Sequence, residues 1–194
     1  MRIVELIIDE MDEFGGIDAI SIVESPAIQS DFITLAEQVK DKEEKTQLAE
    51  VDKERKILMG PALIPNKMIY RKNGDDEFYI HFSKETVRKA SELFLKRGKQ
   101  NRATYEHQVA LGGLSVIESW IVDDPEMDKS KAYGLNMPKG TWMVAMKVYD
   151  DTVWNEFVKT GQVKGFSIEG FFEDKAMMSE DERLLEELRE MILE

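Results

Sequence analysis

A chain of 194 residues has room for one ordinary domain plus extensions. With 26 Lys and Arg against 39 Asp and Glu, a net charge of -13, it lacks the cationic surface that neutralising phosphates requires, which argues against a nucleic-acid partner. Zero cysteines exclude disulfides, thiol nucleophiles and Cys-ligated metals, and two histidines, His81 and His107, exclude a His-rich metal centre.

The elements follow in chain order. Ile3, Val4, Leu6, Ile7 and Ile8 form a β-rich run, and Ile17 to Val23 forms a second after the Gly15-Gly16 turn signal. Glu5 interrupts the first run, no small-residue cleavage site follows it, and no apolar run reaches membrane-spanning length. The expectation is a soluble intracellular protein with no membrane partner. From Lys40 to Lys56, twelve of seventeen residues are charged with both signs balanced, which reads as a solvated helix or linker. Folded-domain composition begins at Ile57. Ile57 to Ile64 and Met68 to Arg71 are followed by a turn at Asn73-Gly74-Asp75-Asp76 and a strand at Glu77 to Phe82, a hairpin pattern. Ser83 is placed to cap a helix running to Arg97, with Val87, Ala90, Leu93 and Phe94 on one face and Gly98 as its stop. Strands are predicted at Leu114 to Val122, Thr141 to Tyr149 and Val163 to Phe172, with a short helix at Asp151 to Lys159. Ser179 and Glu182 make a capping box for an acidic tail helix whose stripe, Leu184, Leu185, Leu188, Met191 and Ile192, suits either core docking or a partner helix.

Phosphate-cradling glycine motifs are absent, and the Asp124, Glu126, Asp128 spacing fails as a calcium loop because Lys129 replaces the required glycine. His, Ser and carboxylate remain, the parts of an acyl-transfer site. Strand alternation over Val116 to Ile121 puts Glu118 beside Val116 and Trp120 and Ser119 beside Ile117 and Ile121, so both faces look apolar. Glu118 is then either a satisfied buried acid or the third member of a triad. Along Gly165 to Phe172, Phe166, Ile168 and Phe172 face the core, and Ser167 lies opposite with Gly165 leaving space beside it. Ser167 reads either as a nucleophile open to a peptide carbonyl or as a surface serine at a bulge. The Gly165 to Glu169 segment has Glu where a G-x-S-x-G elbow needs glycine, against a small-molecule hydrolase of that type.

Gly60-Pro61-Ala62-Leu63-Ile64-Pro65, Glu106-His107, Val116-Ile117-Glu118-Ser119-Trp120, Gly140-Thr141-Trp142, Trp154 and Gly165-Phe166-Ser167-Ile168-Glu169-Gly170 occur in this order, preceded by Ser21 to Ile28. Together they resemble tailed-phage prohead (capsid maturation) serine proteases, in particular the XkdF-like branch grouped with herpesvirus assemblin. The resemblance implies an α+β fold, a compact, mainly antiparallel β-barrel with packed helices, occupying residues 57–174. Residues 1–56 would then be an N-terminal extension of two short strands and a charged linker, and residues 175–194 the tail helix. It implies His107 as base and Ser167 as nucleophile. Glu118, close after His107, is the first choice for the acid, with Glu173 and Asp174 behind it; Ser119 is a weaker nucleophile, His81 is structural, and Gly112-Gly113 is a candidate oxyanion loop. No cofactor or metal is expected. The implied partners are phage scaffold and major capsid proteins as substrates, with a homodimer held open, inside the assembling prohead in the cytoplasm of the infected bacterium. Some such relatives cut after Glu in a Leu/Ile-x-Glu pattern, which marks Leu35-Ala36-Glu37 and Leu48-Ala49-Glu50 for self-cleavage.

Overall fold

Hydrophobic alternation and turn residues lay out most of the chain, and the computed structural model describes residues 2–9, 12–28, 33–34 and 55–175. The strands in chain order are β1 (Arg2–Ile7), β2 (Gly16–Val23), β3 (Ile33–Thr34), β4 (Ile57–Leu63), β5 (Ile69–Asn73), β6 (Asp76–Phe82), β7 (Ala103–Tyr105), β8 (Val109–Leu111), β9 (Leu114–Ile121), β10 (Trp142–Val148), β11 (Gly165–Phe171) and β12 (Glu173–Asp174). The helices are α1 (Lys84–Lys96), α2 (Lys129–Ala132) and α3 (Asp151–Val153), the last continued by a π-turn at Trp154–Val158. The fold is mostly β with few helices. Its described strands form three four-stranded sheets, ordered β12-β1-β6-β5, β3-β4-β10-β9 and β11-β2-β7-β8, and these do not close into one barrel. The tail helix and most of the charged linker lie outside the described residues.

The two N-terminal strands are built into this assembly. β1 runs parallel to β6, with Val4 opposite Ile80, and antiparallel to β12. β2 lies between β11 and β7, antiparallel to the first and parallel to the second. Its buried aliphatic residues Ile20 and Ile22 join Leu58, Phe94, Trp142 and Phe166 in the core. α1 begins where the Ser83 hydroxyl accepts the Thr86 N–H at 3.2 Å, satisfying one orphan donor of the first turn. It buries Val87, Ala90, Leu93 and Phe94, and Phe94 meets Trp142 edge to face at 5.5 Å. It ends at Gly98, whose φ of 66° reverses the chain toward β7.

A bulge controls how β11 lies on β2. Glu169 pairs with Ala19 and Gly170 with Ile17, leaving Asp18 as the extra residue. The Asp18 carboxylate is held by Lys99 Nζ at 2.7 Å and Arg102 Nη1 at 2.6 Å. The Lys99 hydrogen bond foremost, then Arg102, outweighs partial burial and holds Asp18 below the usual carboxylate range. A folded-state value below the unfolded one gives stability that is present above the unfolded pKa of about 3.9 and is lost as pH falls through the folded value. Asp18→Asn is therefore expected to melt at a lower temperature than wild type at pH 7, with the gap closing at the acid end of a pH series of thermal melts. A constant gap at every pH would remove Asp18 from the acid response.

Beside the bulge, β11 approaches β2 so closely that a Cβ on Gly170 would lie 2.1 Å from the Gly16 carbonyl oxygen, a backbone atom that cannot swing away. Gly170→Ala is expected to cost about 3 kcal/mol by overpacking. Gly112→Ala, with nothing within 4 Å of the added Cβ, serves as the near-neutral control in the same denaturant titration.

Candidate active site

β7 and β8 form a short hairpin, with Tyr105 paired to Val109, and His107 sits in its turn. The Gln108 N–H donates to the Tyr105 carbonyl at 3.0 Å, and the two central residues both have positive φ, 50° at Glu106 and 58° at His107. That is the backbone of a primed hairpin turn, normally filled by Asn and Gly. Without glycine, each such residue costs on the order of 1–2 kcal/mol. Contacts with β2 and the residue after it hold the conformation. The Glu106 N–H donates to the Ile22 carbonyl at 3.2 Å, the His107 N–H to Ser21 Oγ at 3.0 Å, and the Glu106 carboxylate accepts the Glu24 N–H at 2.6 Å.

This turn delivers the imidazole to the face of the sheet that carries Ser167. In β11, Phe166 is fully buried and Ile168 packs on the core, so Ser167 and Glu169 point the other way. Ser167 pairs in register with Ser21, the residue that holds the His107 N–H. The His107 Nδ1 lies 3.3 Å from Glu169 Oε1, and the same carboxylate oxygen accepts the Thr104 hydroxyl. A proton on Nδ1 would face Glu169 and would leave the lone pair of Nε2 open. His107 and Glu169 stay partly open, at 40% and 29% side-chain exposure. A cavity of about 280 Å³ lies behind the strand, on the opposite face from Glu169, walled by Phe166, Ile168 and Phe172 of this segment together with Leu63, Ile80 and Phe82, with Arg71 its one charged lining residue.

The acid beside the histidine is Glu169, two residues beyond Ser167 on the same strand, and not Glu118. Glu118 lies on β9 in another sheet, its side chain 47% exposed and ion-paired to Lys129. The apolar surroundings expected for it do not form, because a bulge disrupts the alternation. Ala145 pairs with Glu118 and Met146 with Val116, so Ile117 is passed over and left 44% exposed. Glu173 and Asp174 are exposed on β12, against β1. Ser119 is engaged as acceptor of the Trp142 indole N–H at 2.8 Å. His81 lies on β6, in the β12-β1-β6-β5 sheet, with Nδ1 buried and without a hydrogen bond. Gly113 packs on Asp150 at the far end of β8 from His107. Sequence reasoning missed Glu169, Thr104 and Ser21; the available signal was the i, i+2 spacing of Ser167 and Glu169, which puts both on one strand face.

Residues 44–175 match the family described as "Putative phage serine protease XkdF". The chain belongs to this family. The match spans the β7–β8 hairpin, whose turn holds His107, and β11, which carries Ser167 and Glu169. No curated protein and no solved structure matches the chain. A phage serine protease family supplies the chemistry for which a serine, a histidine and a carboxylate on one sheet face are suited. Among the described residues, no helix is long and apolar enough to cross a membrane.

Proposed function

We propose that the chain is a serine endopeptidase of phage head maturation, with Ser167 as nucleophile, His107 as base and Glu169 as the acid that orients it. The observation that carries this is the 3.3 Å approach of His107 Nδ1 to Glu169 on the face occupied by Ser167. Ser167 Oγ attacks the scissile carbonyl carbon while His107 Nε2 takes the hydroxyl proton. The proton passes to the leaving amine as the C–N bond breaks, and water, deprotonated by the same imidazole, then hydrolyses the acyl-enzyme. Glu169 accepts from Nδ1–H, fixing the tautomer and stabilising the imidazolium that forms.

Scaffold protein, capsid protein and the chain itself, after Glu37 or Glu50, are the proposed substrates, and the assembling prohead is the place of action. Assemblin kinship is part of the same proposal and is supported by the order of the motifs and by the mostly β fold.

Diisopropyl fluorophosphate tests the site without knowledge of the substrate. The Ser167 Oγ–P bond forms, the P–F bond breaks, fluoride leaves and His107 takes the proton. One adduct per chain, mapped to Ser167 by peptide mass spectrometry and absent after heat denaturation, is expected. No adduct, together with intact scaffold after incubation with cognate proheads, would favour a silent structural role for the fold.

A further inference from the structure

We propose that Ser21 and Thr104 are positioning residues for the reaction, acting through His107 and Glu169; the inference rests on the protease reading of the site. Four residues close a ring of contacts. The Ser21 hydroxyl donates to the Thr104 carbonyl at 3.3 Å, the Thr104 hydroxyl donates to the Glu169 carboxylate, Glu169 faces His107 Nδ1 at 3.3 Å, and the His107 N–H returns to Ser21 Oγ at 3.0 Å. His107 is thus gripped at two points, its backbone and its ring, and both grips lead back to Thr104.

Composition makes a packing role for Ser21 implausible. The other residues on either side of it, Ala19, Ile20, Ile22 and Val23, are buried and aliphatic, and Ser21 itself is 0% exposed. A buried hydroxyl is costly unless hydrogen-bonded, and Ala at this place would pack without that demand. Departures from the local pattern of a strand are expected where function imposes them. The two bonds that Ser21 makes are to the backbone of the catalytic hairpin, at Thr104 and His107. The His107 bond acts on a residue at positive φ, where the turn has no glycine to keep it in place. Thr104 constrains the other end of the imidazole. A carboxylate rotates freely about its terminal torsion, and the Thr104 hydroxyl on the oxygen nearest Nδ1 sets its angle. The device is a backbone clamp and a carboxylate clamp, joined by one residue of β7.

The test uses the full chain and diisopropyl fluorophosphate, with the rate and half-saturation concentration of Ser167 phosphorylation followed by intact mass. Ser21→Ala and Thr104→Val are each expected to slow the saturated rate at least tenfold with half-saturation unchanged, since alignment and not reagent binding is lost. The double variant is expected to be slowed about as much as the more impaired single one, because members of one ring are not independent. Thr104→Ser, which keeps the hydroxyl, is expected within about threefold of wild type. Ser91→Ala, at a buried serine of α1 bonded to the Arg88 carbonyl at 2.8 Å, is expected to leave the rate unchanged. Wild-type rates in both single variants, equal loss in Thr104→Ser and Thr104→Val, or equal loss in Ser91→Ala would overturn the proposal. Hydrogen exchange and the His107 ring nitrogen shifts, both by NMR, separate its failure from that of the protease reading. If wild type is not labelled, that reading falls, yet the clamp still requires faster exchange of the His107 amide in Ser21→Ala and a moved Nδ1 signal in Thr104→Val; neither change would overturn it as well.

Discussion

Ser167→Ala is expected to abolish proteolysis while leaving the fold intact. Removal of a nucleophilic serine from a triad costs about 10⁶-fold in kcat, roughly 8 kcal/mol of barrier. The substitution deletes one oxygen from a partly exposed side chain on an edge strand, so thermal melts of variant and wild type are expected to superimpose. Wild type and variant are incubated with cognate scaffold at matched concentration and their intact masses followed. Defined fragments in the wild-type sample alone place the chemistry on Ser167. Equal fragmentation in both would move the nucleophile elsewhere, and Ser119 is poorly suited to inherit the role because its hydroxyl holds the Trp142 indole.

Glu169→Gln carries the second largest effect, a fall of about 10⁴-fold in kcat with little change in KM. The amide is nearly the shape of the carboxylate, but its NH₂ group in place of an acceptor oxygen turns the imidazole toward the tautomer with Nε2–H, which cannot take the serine proton. Glu118→Gln provides the contrast. Its carboxylate is paired with Lys129 at an exposed surface, where an ion pair is worth little, so activity within about twofold of wild type and an almost unchanged melting temperature are expected. Steady-state kinetics on one cleavable peptide compares the two. A large loss in Glu118→Gln with a small one in Glu169→Gln would exchange their roles and dismantle the site described above.

Strong periodicity and sharp punctuation made part of the fold legible. The β5–β6 hairpin was readable from Asn73-Gly74, and α1 from Ser83, Gly98 and the spacing of Val87, Ala90, Leu93 and Phe94. β7 and β8 were not, because three residues each are too few to display alternation, and Glu106 and His107 carry no turn signature although they occupy a primed turn. For the acid, sequence proximity to His107 favoured Glu118, whereas the register of β11 on β2 and of β2 on β7 brings Glu169 beside the imidazole. Register is a property of three strands at once. The bulge at Ile117 is equally silent in sequence, and it turns a strand that looks apolar on both faces into one that exposes its carboxylate.

The placement of β1 and β2 within sheets completed by later strands has a practical result for any cut in the chain between residues 35 and 54. The upstream piece would remain threaded through all three sheets, hydrogen-bonded through β1 to β6 and β12, through β2 to β7 and β11 and through β3 to β4, and would retain the Ser21 hydroxyl under His107. Such a nicked protein would behave as a noncovalent heterodimer of its own fragments, migrating as one species in native size exclusion and as two polypeptides in denaturant. A cut there would then change covalent connectivity without dismantling the face that carries His107, Ser167 and Glu169.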